Sequence, residues 1–276
     1  MKVLILGAKG SLGQTFTDLY QDQDVTAWDH DELDITQAAA VIEKITALKP
    51  DLIINCAAYN SVDKAEEERS KAKLINGTAV GFIAKAASKI GATVVQFSTA
   101  YVYSGDSVSG YEESDPPSPR SEYAESKLLG ENELSKNLKQ YYIVRTTWLY
   151  GKISFTGKQN FVQMMIQMAE SHQDIDGIED EFGNPTYAVD LAKATRELVE
   201  QKADFGIYHL VNEGTASWYD WAKEIFNVKH ILKAKLNPIS RDRFIRPAAR
   251  PKYGILKNTK FIKLRPWQEA LKEYLA

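Results

Sequence analysis

The sequence predicts an α/β chain: a doubly wound parallel sheet with a smaller C-terminal cap over one end of it. Three observations support this reading. Short apolar runs alternate with segments of helical length through residues 1–150, the first run leads directly into a glycine-rich turn, and the alternation becomes irregular beyond Gly151.

Strands are expected at residues 3–6, 25–28, 52–55, 93–97 and 142–145. Most are near-continuous apolar runs, as strands covered by helices on both faces require. Helical periodicity fills the intervals at 12–20, 37–48, 72–90 and 123–138. Residues 104–121 carry Pro116, Pro117 and Pro119, which can neither continue a helix nor sit in a central strand, so a long loop near the mouth of the ligand crevice is expected there. Further helices are expected near 160–171, 189–201, 218–226 and 267–275. The division is therefore a dinucleotide-binding domain over 1–150 and a mainly substrate-binding domain over 151–276, with 189–211, a helix followed by a strand, offering a return to the main sheet.

A chain of 276 residues buries a sizeable core without covalent staples. The formal net charge of −3 gives no global attraction to nucleic acid or anionic lipid, so an anionic ligand has to be held by a local patch. The single cysteine, Cys56, excludes an intrachain disulfide, and His30, His172, His209 and His230 show no metal-ligand spacing. Residues 3–6 are too short an apolar run for a signal peptide or a membrane span, so a cytoplasmic protein without membrane or nucleic-acid partners is expected.

Gly7-Ala8-Lys9-Gly10-Ser11-Leu12-Gly13 follows the first strand and opens the first helix, the context that gives such a glycine pattern its meaning in a Rossmann-type fold. Gly7 permits the tight turn, Gly10 lets backbone N–H groups approach a pyrophosphate, and Gly13 lets the helix pack close to the strand. Asp29, 22 residues after Gly7, stands where a carboxylate accepts hydrogen bonds from an adenosine ribose. That favours NADH, whereas Lys9 within the loop offsets a 2′-phosphate and favours NADPH, so both cofactors stay open. Asp34 and Ile35 either meet the adenine edge or belong to the capping region before Gln37.

Tyr123 and Lys127 stand at i and i+4 on one helix face. Two other Tyr-x-x-x-Lys pairs exist, Tyr219/Lys223 and Tyr253/Lys257, but only the first follows the proline-rich loop after a strand ending in Ser98-Thr99. Reduction of a carbonyl by a nicotinamide needs an acid at the oxygen, and a tyrosine beside an ammonium that lowers its pKa fills that role. Thr99 adds a hydroxyl for the carbonyl oxygen. Asn76 either completes a proton relay or satisfies a kinked helix backbone.

These features in this order resemble the extended short-chain dehydrogenase/reductase superfamily, and further segments narrow the resemblance to the dTDP-4-dehydrorhamnose reductase family over nearly the whole chain. Residues 53–59 with 62–66 are similar to that family's loop after the third strand, 98–103 to its S-T-D-Y-V-F, 123–131 to its Y-x-x-S-K-x-x-G-E and 145–151 to its R-T-S-W-V-Y-G. Residues 183–186 with 190–192, Arg246-Pro247 and 266–271 extend the match. The resemblance implies an NADPH- or NADH-dependent reductase acting on dTDP-4-dehydro-L-rhamnose. It implies Thr99, Tyr123 and Lys127 as catalytic residues; Gly7, Lys9, Gly10, Ser11, Leu12, Gly13, Asp29, Asp34, Ile35, Ala57, Ala58, Tyr59 and Asn76 around the cofactor; and Tyr101, Trp148, Asn160 and Arg246 around the nucleotide sugar. The alternative for Trp148 is a buried strand-end aromatic. Arg241, Arg243, Arg246 and Arg250 either serve a diphosphate, Arg246 first among them, or form a solvated surface.

Three departures from the family pattern stand out. Ala100 replaces an aspartate and removes a carboxylate expected in the sugar pocket, Glu181 replaces a glutamine, and Thr15 replaces a glutamate that some members use in a magnesium-linked dimer. No metal is therefore carried over, while a homodimer stays compatible with the resemblance. The same residue types also suit a nucleotide-sugar epimerase or dehydratase with bound NAD, or a non-catalytic, reductase-like regulatory subunit.

Overall fold

The computed structural model describes residues 1–276 except 156, 158, 172 and 173, so His172 lies outside the described residues. In chain order the first half runs β1 (Lys2–Leu6), α1 (Ser11–Leu19), β2 (Asp24–Trp28), α2 (Ala38–Leu48), β3 (Leu52–Asn55), α3 (Arg69–Lys73), α4 (Ala79–Ile90), β4 (Thr93–Thr99), α5 (Glu122–Asn137) and β5 (Tyr141–Thr146). The second half runs β6 (Leu149–Tyr150), α6 (Phe161–Ser171), β7 (Asp174–Ile178), β8 (Phe182–Gly183), β9 (Thr186–Tyr187), α7 (Ala188–Glu200), β10 (Gly206–His209), β11 (Asn212–Glu213), β12 (Ala216–Ser217), α8 (Trp218–Val228), β13 (Lys235–Ile239), β14 (Tyr253–Gly254), β15 (Leu264–Pro266) and α9 (Trp267–Leu275).

The main sheet has the order β10-β5-β4-β3-β1-β2, and every pairing in it is parallel. Its apolar strands are buried on both faces. Val3, Ile5, Val95 and Val144 pack against Leu12 and Phe16 of α1 and Leu191 and Leu198 of α7, while Leu4, Ile53, Val94 and Ile143 meet Val41 of α2, Ile83 of α4 and Leu134 of α5. The chain winds outward in opposite directions from β1 and β3. That switch point opens a crevice beyond their carboxyl ends, where Gly7 and Cys56 begin their loops.

Two expectations need correction. The helix read over 72–90 begins earlier and is interrupted, with a π turn over Leu74–Thr78 between α3 and α4. The long loop, expected near the crevice mouth, lines neither of the two pockets beyond the carboxyl ends of the strands. Tyr111 stacks on Tyr103 at 4.3 Å, its hydroxyl holds the backbone N–H groups of Asp106 and Ser107, and it bridges to Leu256, which folds the loop back onto the C-terminal segment.

The remaining elements form the cap, in which α6, α8 and α9 enclose Tyr150, Val162, Trp221, Phe226, Trp267 and Leu271. Two pieces of the second half belong to the main body instead. β10 extends the main sheet beside β5, and α7 packs on α1. Among the described residues no helix is long and apolar enough to cross a membrane.

Candidate active site

The crevice consists of two chambers of about 550 Å³ and 620 Å³ that share Gly10, Cys56, Ala58, Asn60 and Ser154 as walls. The glycine turn lies between them. Gly7 adopts φ +74°, and a Cβ there would stand 2.6 Å from the Ala57 nitrogen. A Cβ on Gly13 would meet the Gly7 carbonyl oxygen at 2.2 Å, so α1 can approach β1 this closely only with glycine at 13. Gly10 caps α1 without any side-chain hydrogen bond, which leaves the first-turn N–H groups at Ser11 and Leu12 without a side-chain acceptor beside the second chamber. This cradle fits a diphosphate carried at a helix N-terminus.

The first chamber suits an adenosine. Leu6, Trp28, Leu33, Ile35 and Ile75 supply its apolar walls, and Asp29, Asp34, Lys9, Ala57 and Ala58 border it. Asp29 already shapes its own turn, accepting from Lys9 N at 2.8 Å and His30 N at 2.8 Å. Lys9 Nζ pairs with Asp31 at 2.6 Å, and that hydrogen bond and charge raise its pKa. Asp34 accepts from Thr36 N and Thr36 Oγ1, bonds that hold its carboxyl below the usual range, while the residue capping α2 is Gln37. Asp34 thus both borders the chamber and organises the turn before α2.

Thr99, Tyr123 and Lys127 converge on the second chamber from the end of β4 and the first two turns of α5. Ser121 starts α5 by accepting from Ala124 N, which places Tyr123 and Lys127 on the inward face. Burial pushes the Tyr123 phenol up, Tyr101 adds to the rise and a hydrogen bond with Thr99 opposes it. Burial dominates at the phenol, and Lys127 Nζ donates to the Phe97 carbonyl at 2.7 Å. Burial brings Lys127 itself down to about 8, opposed by Glu131 and Cys56. The other two Tyr-x-x-x-Lys pairs lie in the cap: Tyr219 and Lys223 on α8, and Tyr253 and Lys257 on no helix.

Asn76 borders neither chamber and reaches the site through Tyr59. Its Oδ1 accepts from Tyr59 N at 2.8 Å, and its Nδ2 donates to Tyr59 O and Ser126 Oγ at 2.9 Å each. Ser126 in turn donates to the Tyr123 carbonyl at 2.7 Å. From the π turn, Asn76 therefore ties the loop carrying Ala57, Ala58 and Tyr59 to the backbone of Tyr123.

On the sugar side, Trp148 borders the second chamber with φ +47° and stacks on Trp218 at 3.8 Å. Asn160 borders it too, but its side chain is occupied, donating to the Gly151 carbonyl and the Tyr274 hydroxyl and accepting from Gln163 N. Tyr101 stands edge-on to Tyr123 at 6.1 Å, one ring beyond the chamber. Arg246 also lies beyond it, paired with the buried Glu181, which Arg241 approaches at 3.6 Å. Ala100 is fully buried with Val102, Tyr103 and Leu256 and borders neither chamber, so its small side chain fills the core rather than opening the sugar pocket.

Two wall residues went unassigned in the sequence reading. Thr146 and Thr147 border the second chamber, and their buried hydroxyls, like that of Ser11, have no hydrogen-bond partner among the described residues. Their signal lay in the segment at 145–151, whose individual roles no spacing specifies. Asp63 receives a two-point contact from Arg250 at 2.5 Å and 2.7 Å, joining the loop after β3 to the cap segment across 187 positions of sequence. Nothing local announces that pairing. Among the described residues no group of three or more His, Cys, Asp or Glu is arranged to hold a metal ion.

Comparison with known proteins agrees with this geometry. The family model described as RmlD substrate binding domain matches residues 1–276. A dTDP-4-dehydrorhamnose reductase structure from Clostridium acetobutylicum is 39% identical, with TM-score 0.95 over 100% of this chain and 98% of its own. One from Bacillus anthracis in complex with NADP is 36% identical, with TM-score 0.95 over 99% and 98%. The dTDP-4-dehydrorhamnose reductase of Streptomyces griseus is 36% identical over 98% of this chain and 91% of its own. The chain belongs to the dTDP-4-dehydrorhamnose reductase family.

Proposed function

We propose that the chain reduces the 4-keto group of a nucleotide-linked 6-deoxysugar, dTDP-4-dehydro-L-rhamnose first among candidates, with NADPH or NADH. The observation carrying this reading is that Thr99, Tyr123 and Lys127 share one chamber with the glycine cradle. Bound reduced nicotinamide supplies the hydride for the ketone carbon. Thr99 Oγ1 accepts from Tyr101 N at 3.2 Å and is hydrogen-bonded to Tyr123, so the two hydroxyls meet where a ketone oxygen can accept from both. Tyr123, kept neutral by burial, donates the proton that makes the alcohol, and the Lys127 ammonium stabilises the phenolate left behind. Trp148 offers an apolar face to the deoxysugar, and Arg246 and Arg250, whose charges act on Tyr101, are the cations offered to the sugar's diphosphate.

The test is NADPH oxidation with dTDP-4-dehydro-L-rhamnose, alongside UDP- and GDP-linked 4-keto sugars, with the C4 configuration of the product read by NMR. Stoichiometric NADP⁺ and a C4 alcohol support the reading. Tightly retained cofactor with isomerisation and no net oxidation would instead indicate an epimerase.

A further inference from the structure

Behind the catalytic residues runs a continuous buried chain of polar side chains. Ser98 Oγ donates to Glu131 Oε1 at 2.5 Å, and Arg145 grips the same carboxylate through Nε at 3.0 Å and Nη2 at 2.6 Å. Arg145 Nη1 donates to the Tyr103 hydroxyl at 2.5 Å, which meets His209 Nε2 at 2.9 Å, while His209 Nδ1 meets the Lys257 carbonyl at 3.0 Å. A carbonyl only accepts, so Nδ1 carries the imidazole proton, and the single Tyr103 hydroxyl proton faces two acceptors, Nε2 and the Glu112 carbonyl at 3.0 Å. None of the five side chains is more than 5% exposed.

A buried ion pair of this kind adds little net stability over an apolar replacement, so its position calls for another account. The neighbours supply one. Ser98 precedes Thr99, Arg145 is the cross-strand partner of Ser98, and Glu131 stands four residues after Lys127 on the same face of α5. We propose that Glu131 is a positioning residue for the Thr99–Tyr123–Lys127 site: held by Ser98 and Arg145, it locks the end of β4 to α5 and supplies the fixed negative charge beside which Lys127 keeps its proton. This rests on the reductase reading above.

The groups that face Lys127 are few. Tyr123 and Glu131 come from α5, Cys56 from the end of β3 and the Phe97 carbonyl from β4, with Arg145 of β5 behind the carboxylate. Glu131 is the largest influence opposing the desolvation of the ammonium, ahead of Cys56. Removing its charge while keeping its shape leaves Lys127 facing burial and the unpaired Arg145, and both favour loss of its proton.

The experiment is Glu131→Gln, with kcat at saturating NADPH and nucleotide sugar followed from pH 6 to 10, and with NADPH Kd and Tm measured in parallel. The alkaline limb of kcat is expected to move about one pH unit lower. NADPH affinity should stay within about threefold of the parent, and Glu131→Asp should return the limb toward the parent position. A lowered Tm with an unmoved limb would reduce Glu131 to a structural role and overturn the proposal. If Glu131→Gln does not fold, Ser98→Ala keeps the ion pair but removes one donor from the carboxylate, strengthening its field. Its limb should then move to higher pH, and an unmoved limb overturns the proposal. A parent without turnover would sink the reductase reading itself, whereas an active parent whose alkaline limb is the same in Glu131→Gln would sink only this inference.

Discussion

Gly10→Ala separates the ligand cradle from the fold. A Cβ at position 10 would meet only the Gly7 carbonyl oxygen, at 3.3 Å, and the backbone at φ −73° and ψ 161° is open to any L-residue. The direct cost to folding is the poorer N-cap, about 0.5–1 kcal/mol, or roughly 1–2 °C in Tm for a chain of this size. The added methyl enters the wall shared by both chambers, where the diphosphate has to approach the backbone. An NADPH affinity loss of about 10–100-fold is expected, equivalent to roughly 1.4–2.7 kcal/mol. Gly13→Ala is the contrasting variant. Its Cβ would lie 2.2 Å from the Gly7 carbonyl oxygen and 2.8 Å from the Ala8 Cα, both backbone atoms, so α1 has to move and about 3 kcal/mol of stability is lost. Fluorescence titration with NADPH and thermal melts separate the two effects. Parental NADPH affinity in Gly10→Ala would refute the placement of the diphosphate at this turn.

Other outcomes follow from the same geometry. Lys127→Met removes an ammonium whose folded pKa of about 8 lies below its ordinary 10.5, so it should abolish turnover yet raise Tm by roughly 2–4 °C, net of the lost Phe97 hydrogen bond. For the parent, the unfolded state binds more protons than the folded state between about 8 and 10.5, so Lys127 makes stability rise with pH through that window. Activity that needs the charged amine should fall over the same window, and a turnover rate that holds steady through pH 10 would contradict its role. Asn76→Ala leaves the Tyr59 N–H and carbonyl unpaired and should cost about 2–4 kcal/mol in urea denaturation; a loss below about 0.5 kcal/mol would show that the clamp is dispensable.

The main sheet was legible because β1, β3, β4 and β5 are buried on both faces, so burial and composition coincide there; β1 to β5 lie within two residues of their expected bounds. A kink at Asn76 was one of two readings open to the sequence, but not its form: the π turn brings Asn76 to Tyr59, a partner on another loop. Prolines at 116, 117 and 119 identified the loop after β4 as irregular but not its direction, which the Tyr103–Tyr111 stack decides. At the site, residue type and order brought Thr99, Tyr123 and Lys127 forward, and they do share a chamber. Electrostatics escaped the sequence reading. Phenol and ammonium four residues apart suggested a lowered phenol pKa, yet burial outweighs charge at Tyr123 and the Phe97 carbonyl takes the ammonium. Ala100 faces the core, and the orientation of one side chain at a strand end follows from packing against Val102 and Leu256 that spacing does not encode.

The most direct test of the catalytic assignment is Tyr123→Phe, which keeps the ring against Tyr101 and removes only the hydroxyl. With dTDP-4-dehydro-L-rhamnose and saturating NADPH, kcat should fall about 10²–10⁴-fold while NADPH Kd stays within about threefold of the parent. A Tyr123→Phe variant that turns over at the parental rate would contradict the account.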